Sequence, residues 1–181
     1  MIQCFFILLM NNLLVIALTR QDRLPPNGIP VASPSRTVGR AEVYDFPNSG
    51  KREVAVLNLN IWGEDEDRID LHMSYSISGP KPRLPKSVRI DIASIAKTYR
   101  FKGKSLVEFI VDGKKWRPIS VKPQIADDPP SAMEDYVFRL GIEQFRQIGN
   151  AKSVVLKVGG LEIALSAEHR QAFLDMLLAA D

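Results

Sequence analysis

From residue 55 onward, apolar residues recur at every second position through most of the chain, a period that marks β-strands. In the first run Ala55, Leu57, Leu59 and Ile61 share one parity, while Asn58 and Asn60 take the other. Ile69, Leu71, Met73, Tyr75 and Ile77 then alternate without a break against Asp70, His72, Ser74, Ser76 and Ser78. A strand with that pattern is expected to set one face on a core and the other in water. Residues 63–68, rich in acid, suit the hairpin loop between the two runs. Val88, Ile90 and Ile92 alternate next, after a proline-marked loop at Pro80, Pro82 and Pro85. Val107, Phe109 and Val111 lead into Asp112-Gly113, a pair suited to a tight hairpin turn with positive φ at both positions. The return, Trp116 to Val121, contains Pro118 and so reads as an edge or irregular strand.

The last third mixes periods. Tyr136, Phe138 and Leu140 alternate, whereas Ile142, Phe145 and Ile148 are spaced three apart, as on a short helix ending at Gly149-Asn150. Val154, Leu156 and Val158 precede Gly159-Gly160, and Leu161, Ile163 and Leu165 return, a second hairpin. Ser166 is placed to cap a final helix, with Glu168 in its first turn and Phe173, Met176, Leu177 and Ala180 as its apolar stripe.

The start of the chain follows different rules. Ile2 to Leu18 carries no charge, and Val15 and Ala17 suit the −3 and −1 positions of a signal-peptidase site. Residues 1–18 therefore read as a signal peptide or a membrane anchor. The signal peptide is the leading reading, but Arg20 and Arg23 follow the apolar run, and on the positive-inside rule that order favours a cytoplasmic C-terminal side and counts against export. Residues 19–50 hold Pro25, Pro26, Pro30, Pro34 and Pro47 and read as a linker, with Val43, Tyr44 and Phe46 as a short docking strand. Residues 51–181 form one β-rich globular domain.

Composition narrows the chemistry. The chain has 181 residues, 45% of them hydrophobic and 25% charged, ordinary values for a folded domain. Its formal net charge is only +3. Residues 80–122, however, hold twelve basic side chains against three acidic ones, a local charge of +9 between mildly acidic flanks. Cys4 is the single cysteine, so residues 5–181 can form neither an internal disulfide nor a thiolate metal site.

No local motif assembles a catalytic set. His72 reads as a residue on the polar face of its strand, and His169 as a packing or helix-end residue; neither has the spacing of a metal-ligand pair. Glu64-Asp-Glu-Asp67 lacks the spacing of a calcium loop and reads as a solvated hairpin tip. Val158-Gly-Gly160 precedes a strand instead of a helix, unlike a dinucleotide-binding turn. The most distinctive chemistry is basic: Lys97, Arg100, Lys102 and Lys104 surround Tyr99 and Phe101, and Lys114, Lys115 and Arg117 surround Trp116. Charge interleaved with rings suits a polyanion groove or an anionic lipid surface, although strand alternation produces the same interleaving.

The expected fold is α+β: an antiparallel β-sheet or small sandwich with a short helix and a C-terminal helix packed on it. The first functional expectation is an exported or membrane-anchored, non-enzymatic binding or structural module, periplasmic or extracellular, with a protein or an anionic surface as partner. The second is a polyanion or anionic-membrane binder using residues 97–117. The third is a hydrolase whose carboxylates come from distant strands. No catalytic residue, metal or cofactor is expected.

Overall fold

The computed structural model describes residues 33–79, 84–102, 106–118, 121–128 and 131–180. The apolar leader, the linker up to residue 32, and Lys81, Arg83 and Lys104 lie outside the described residues. A compact unit begins at Pro34. Eleven strands and two helices follow: β1 (Arg36–Val38), β2 (Ala41–Phe46), β3 (Lys51–Glu64), β4 (Asp67–Ser78), β5 (Ser87–Ala96), β6 (Val107–Val111), β7 (Lys114–Trp116), β8 (Lys122–Asp128), β9 (Ser131–Gly141), α1 (Ile142–Asn150), β10 (Val154–Val158), β11 (Leu161–Ala164) and α2 (Ala167–Leu178). The fold is mainly β, and α+β in the broad sense.

Two sheets carry these strands. One has seven, in the order β1-β2-β3-β4-β5-β9-β8, and the other four, in the order β11-β10-β6-β7. Every pairing is antiparallel. Ile69, Leu71 and Met73 of β4, Ile90 and Ile92 of β5, and Tyr136 and Phe138 of β9 enter the same buried cluster as Phe109, Leu156, Phe145 and Phe173. Phe109 and Phe138 meet edge to face across the two sheets, centroids 6.1 Å apart.

The turn chemistry acts as the sequence suggested. Asp112 and Gly113 both have positive φ (47° and 80°), as do Gly159 and Gly160 (56° and 103°), so each pair closes a two-residue hairpin. The acidic run is tighter than the expected loop: Glu64 and Asp67 already pair, leaving only Asp65 and Glu66 in the turn.

Three expectations need correction. First, the parity of β3 changes midway. The register slips between Val56 and Leu59, and Asn58 sits there at φ 51°. An extra residue in one strand flips every later side chain. Val54 and Val56 therefore join Leu59 and Ile61 in the core, while Leu57 is only half-buried. Second, the sheet reaches further into the expected linker than the docking strand at Val43, Tyr44 and Phe46: Arg36–Val38 and Ala41–Phe46 are both strands, with Ala41 and Val43 fully buried. Prolines bracket this hairpin without entering its strands. Third, the return after Trp116 is brief. Pro118, without an N–H, follows the end of β7, and the chain crosses to the large sheet as β8, where Pro123 is tolerated at the edge.

Both helices close over the core. Phe145 and Ile148 of α1 are buried, and Phe145 stacks at a tilt on Phe173 of α2, 4.8 Å between centroids. At Gly149 a Cβ would lie 2.6 Å from Leu174 Cδ2, so the glycine permits this close helix contact. α2 is tied to the large sheet at its far end. Tyr75 donates its hydroxyl hydrogen to the Met176 carbonyl (2.6 Å), and Arg36 donates to the Ala179 carbonyl (2.9 Å).

Candidate functional site

The face of the large sheet turned from the core is polar but not uniformly wet. On the central strand β4, Asp70 and Ser74 are buried and His72 is half-buried, which corrects the expected solvated face. Cross-strand neighbours crowd these side chains: Asp70 lies between Asn60 and Ala93, and Ser74 between Ala55 and Arg89. Arg68 donates to Asp70 at 2.8 Å.

Both histidines serve backbone groups. The Asn58 N–H donates to His72 Nδ1 at 3.1 Å, so the imidazole satisfies a donor exposed by the β3 bulge. Burial pulls the His72 pKa down, against the opposing charges of Asp91 and Asp70. His169 forms a capping box with Ser166: its N–H donates to Ser166 Oγ (3.1 Å), and the Ser166 N–H donates to His169 Nδ1 (3.2 Å). Burial and the charge of Arg40 lower the His169 pKa, while a hydrogen bond to the Asn60 backbone raises it.

The buried carboxylates are dispersed over several elements. Glu134 on β9 accepts from the Phe101 N–H (2.8 Å), and Glu108 on β6 accepts from Arg117 (2.9 Å). Asp175 on α2 accepts from the Arg40 N–H and from Gln171, both at 2.9 Å. Glu53 on β3 is held above the usual carboxylate range by burial. Among the described residues no group of three or more His, Cys, Asp or Glu side chains is arranged to hold a metal. A shallow hollow of about 200 Å³ lies at the β2–β3 turn, lined in part by Asp45, Arg52 and Ile77. Asp45 is engaged there by Arg52 (2.7 Å) and Ser35 (2.8 Å), which hold its carboxyl below the usual range.

The basic residues of segment 97–117 have divided roles. Arg100 lies 4.4 Å above the Trp62 ring and donates to Asp67 and Ser94, a set of contacts that staples the loop after β5 to β3 and β4. Arg117 is spent on Glu108. Trp116 stands opposite Phe109 and packs half-buried against the core. Lys97, Lys102, Lys114 and Lys115 are exposed and make no ion pair among the described residues. These lysines are not one patch. Lys102 adjoins Phe101, which packs on Gly159 at the Val107 end of β6, whereas Lys114 pairs with Val111 at the other end. Four residues of strand put these two ends about 14 Å apart.

The register also places a feature that motif reasoning missed. Arg89 and Arg139 stand directly opposite each other on β5 and β9. Each lies in an ordinary alternating strand, and only the pairing of two strands 50 residues apart in the chain brings them together. These features define a mainly antiparallel β domain with two sheets and two helices around one core. Comparison with protein-family models, with curated proteins and with solved structures finds no match. Among the described residues, no helix is long and apolar enough to cross a membrane.

Proposed function

We propose that this chain is a non-enzymatic binding or structural module, exported or membrane-anchored through residues 1–18. The observation that carries the non-enzymatic part is the use of both histidines as acceptors for backbone N–H groups, His72 at the β3 bulge and His169 at the α2 cap. With its Nδ1 lone pair taken by a backbone N–H, the neutral imidazole carries its proton on Nε2 and has no free lone pair to act as a general base. Export rests on the uncharged run from Ile2 to Leu18. The test is to recover the untagged chain from cell fractions and measure its intact mass. A chain shortened near residue 18, or an intact chain in the membrane fraction, supports the reading. Intact chain in the soluble cytoplasm overturns it.

A second reading, a polyanion or anionic-membrane binder, is favoured by the exposed Lys97, Lys102, Lys114 and Lys115. Since Lys102 and Lys114 lie at opposite ends of β6, an extended polyanion suits them better than a small anion. Binding to a long anionic polymer that weakens steeply with salt, and is lost when these four lysines become glutamate, supports this reading. Binding unchanged by the substitutions sinks it.

A further inference from the structure

We propose that Arg89 and Arg139 form a site for a tetrahedral oxyanion of the phosphate type, on the face of the seven-stranded sheet turned from the core. The two arginines are direct cross-strand partners. Like charges in that position repel each other and need a compensating anion.

The protein supplies only part of that compensation. Asp91, on the same strand as Arg89, is the carboxylate beside the pair, and it meets the Arg89 guanidinium at 3.3 Å, long for a charge-assisted hydrogen bond. The Arg89 side chain is 19% exposed, and its buried Nε has no hydrogen-bond partner among the described residues. Arg139 is exposed and, among the described residues, reaches only the Ser87 hydroxyl, at 3.4 Å. Glu42 lies in the same cross-strand row as Arg89 but three strands away, past Ser74 and Ala55, and accepts from Tyr44 instead. Arg89 therefore has one long carboxylate contact, and Arg139 makes no ion pair among the described residues.

The surroundings suit a compact anion. Ser74 is the cross-strand partner of Arg89 on the other side, and Ser87 lies two residues along β5, so hydroxyl groups flank the cationic pair. Ser87 is paired with Gly141, which has no side chain; a Cβ there would meet only Gln144 Oε1, at 3.6 Å. That leaves the sheet open beside Arg139. Planar guanidinium forks present paired N–H groups to the oxygens of a phosphate, and serine hydroxyls can donate to those remaining. The ligand is inorganic phosphate or a phosphate monoester group, which share this chemistry. The site is separate from the lysines of segment 97–117 and stands or falls independently of the proposed function.

The experiment is thermal melting of the full chain against inorganic phosphate, O-phosphoserine and, at matched ionic strength, chloride. Two-dimensional NMR of the arginine Nε–H groups reads out the same titrations. A saturable rise in Tm with phosphate or phosphoserine, absent with chloride, is expected, together with a selective shift of the Arg89 Nε–H. The stronger of the two compounds distinguishes free phosphate from a monoester. Arg139→Ala, a change at an exposed position, should weaken binding at least tenfold. Asp91→Asn, which removes the competing carboxylate, should tighten it at least threefold. An equal response to chloride, unchanged binding by Arg139→Ala, or loss of binding in a folded Asp91→Asn variant would overturn the site. In the last case Arg89 would depend on Asp91 alone.

Discussion

A Cβ placed on Gly39 would lie 2.2 Å from a carboxylate oxygen of Asp175. Gly39 has φ 56° in the turn between β1 and β2, and the next residue, Arg40, donates its N–H to the same carboxylate at 2.9 Å. The hairpin that opens the domain is thus fitted against the last helix. Gly39→Ala meets both the left-handed backbone and the carboxylate, and should cost about 2–4 kcal/mol in a urea melt. Adding Asp175→Ala removes the clash, so the double variant should lose less than the sum of the two single losses. Strict additivity would show that the two residues do not touch.

The β3 bulge gives a second check. Asn58 takes φ 51°, a conformation that glycine adopts freely and a β-branched residue does not. Asn58→Gly should change stability by less than about 0.5 kcal/mol, whereas Asn58→Val should cost about 1–2 kcal/mol. Equal effects in chemical denaturation would argue against the bulge.

Stability should fall on mild acidification. Burial holds His72 and His169 below the ordinary histidine pKa of 6.5. Below that pH the unfolded chain therefore takes up protons that the folded chain resists. The histidine contribution is fully present above pH 6.5 and is lost as pH falls through the lower, folded values. Glu53 works with the opposite sign: its raised pKa stabilises the fold at low pH, and that contribution fades as pH rises from 4.5 through its folded value. Net loss of Tm between pH 7 and pH 5 is expected. His72→Asn, whose Oδ1 can stand in for Nδ1 as acceptor, should flatten that slope. An unchanged slope would mean that His72 does not titrate against the fold.

Packing across the two sheets can be tested at Phe109, which is fully buried and meets Phe138. Phe109→Ala should cost about 3–5 kcal/mol. Leu178, 59% exposed at the end of α2, serves as the control, and its change to alanine should stay within about 0.5 kcal/mol. Denaturant midpoints at constant slope decide between the two outcomes.

Local chemistry was the legible part of this fold. Asp112-Gly113 and Gly159-Gly160 marked their hairpins because positive φ selects such residues, and Ser166 marked the start of α2 because its hydroxyl caps an open N–H. β4 was readable because its alternation is unbroken. β3 was misread at Leu57 because a single inserted residue inverts parity without altering composition. β8 escaped notice because an edge strand such as Lys122–Asp128 needs no apolar alternation and can accept Pro123. The site features were harder still. The basic residues were visible, but whether Arg100 is free or stapled to Trp62 and Asp67 depends on contacts 33 and 38 residues distant in the chain. The Arg89–Arg139 pair is likewise a product of register.

In-cell cross-linking through lysine, with mass spectrometry of the recovered chain, tests the proposed binding or structural role most directly. A defined neighbour should be joined reproducibly to the domain through exposed lysines such as Lys97, Lys102, Lys114 or Lys115. Its yield should drop when the domain is destabilised by Phe109→Ala. Only unselective cross-links, no more enriched than those of an unrelated protein of the same compartment and abundance, would contradict that role.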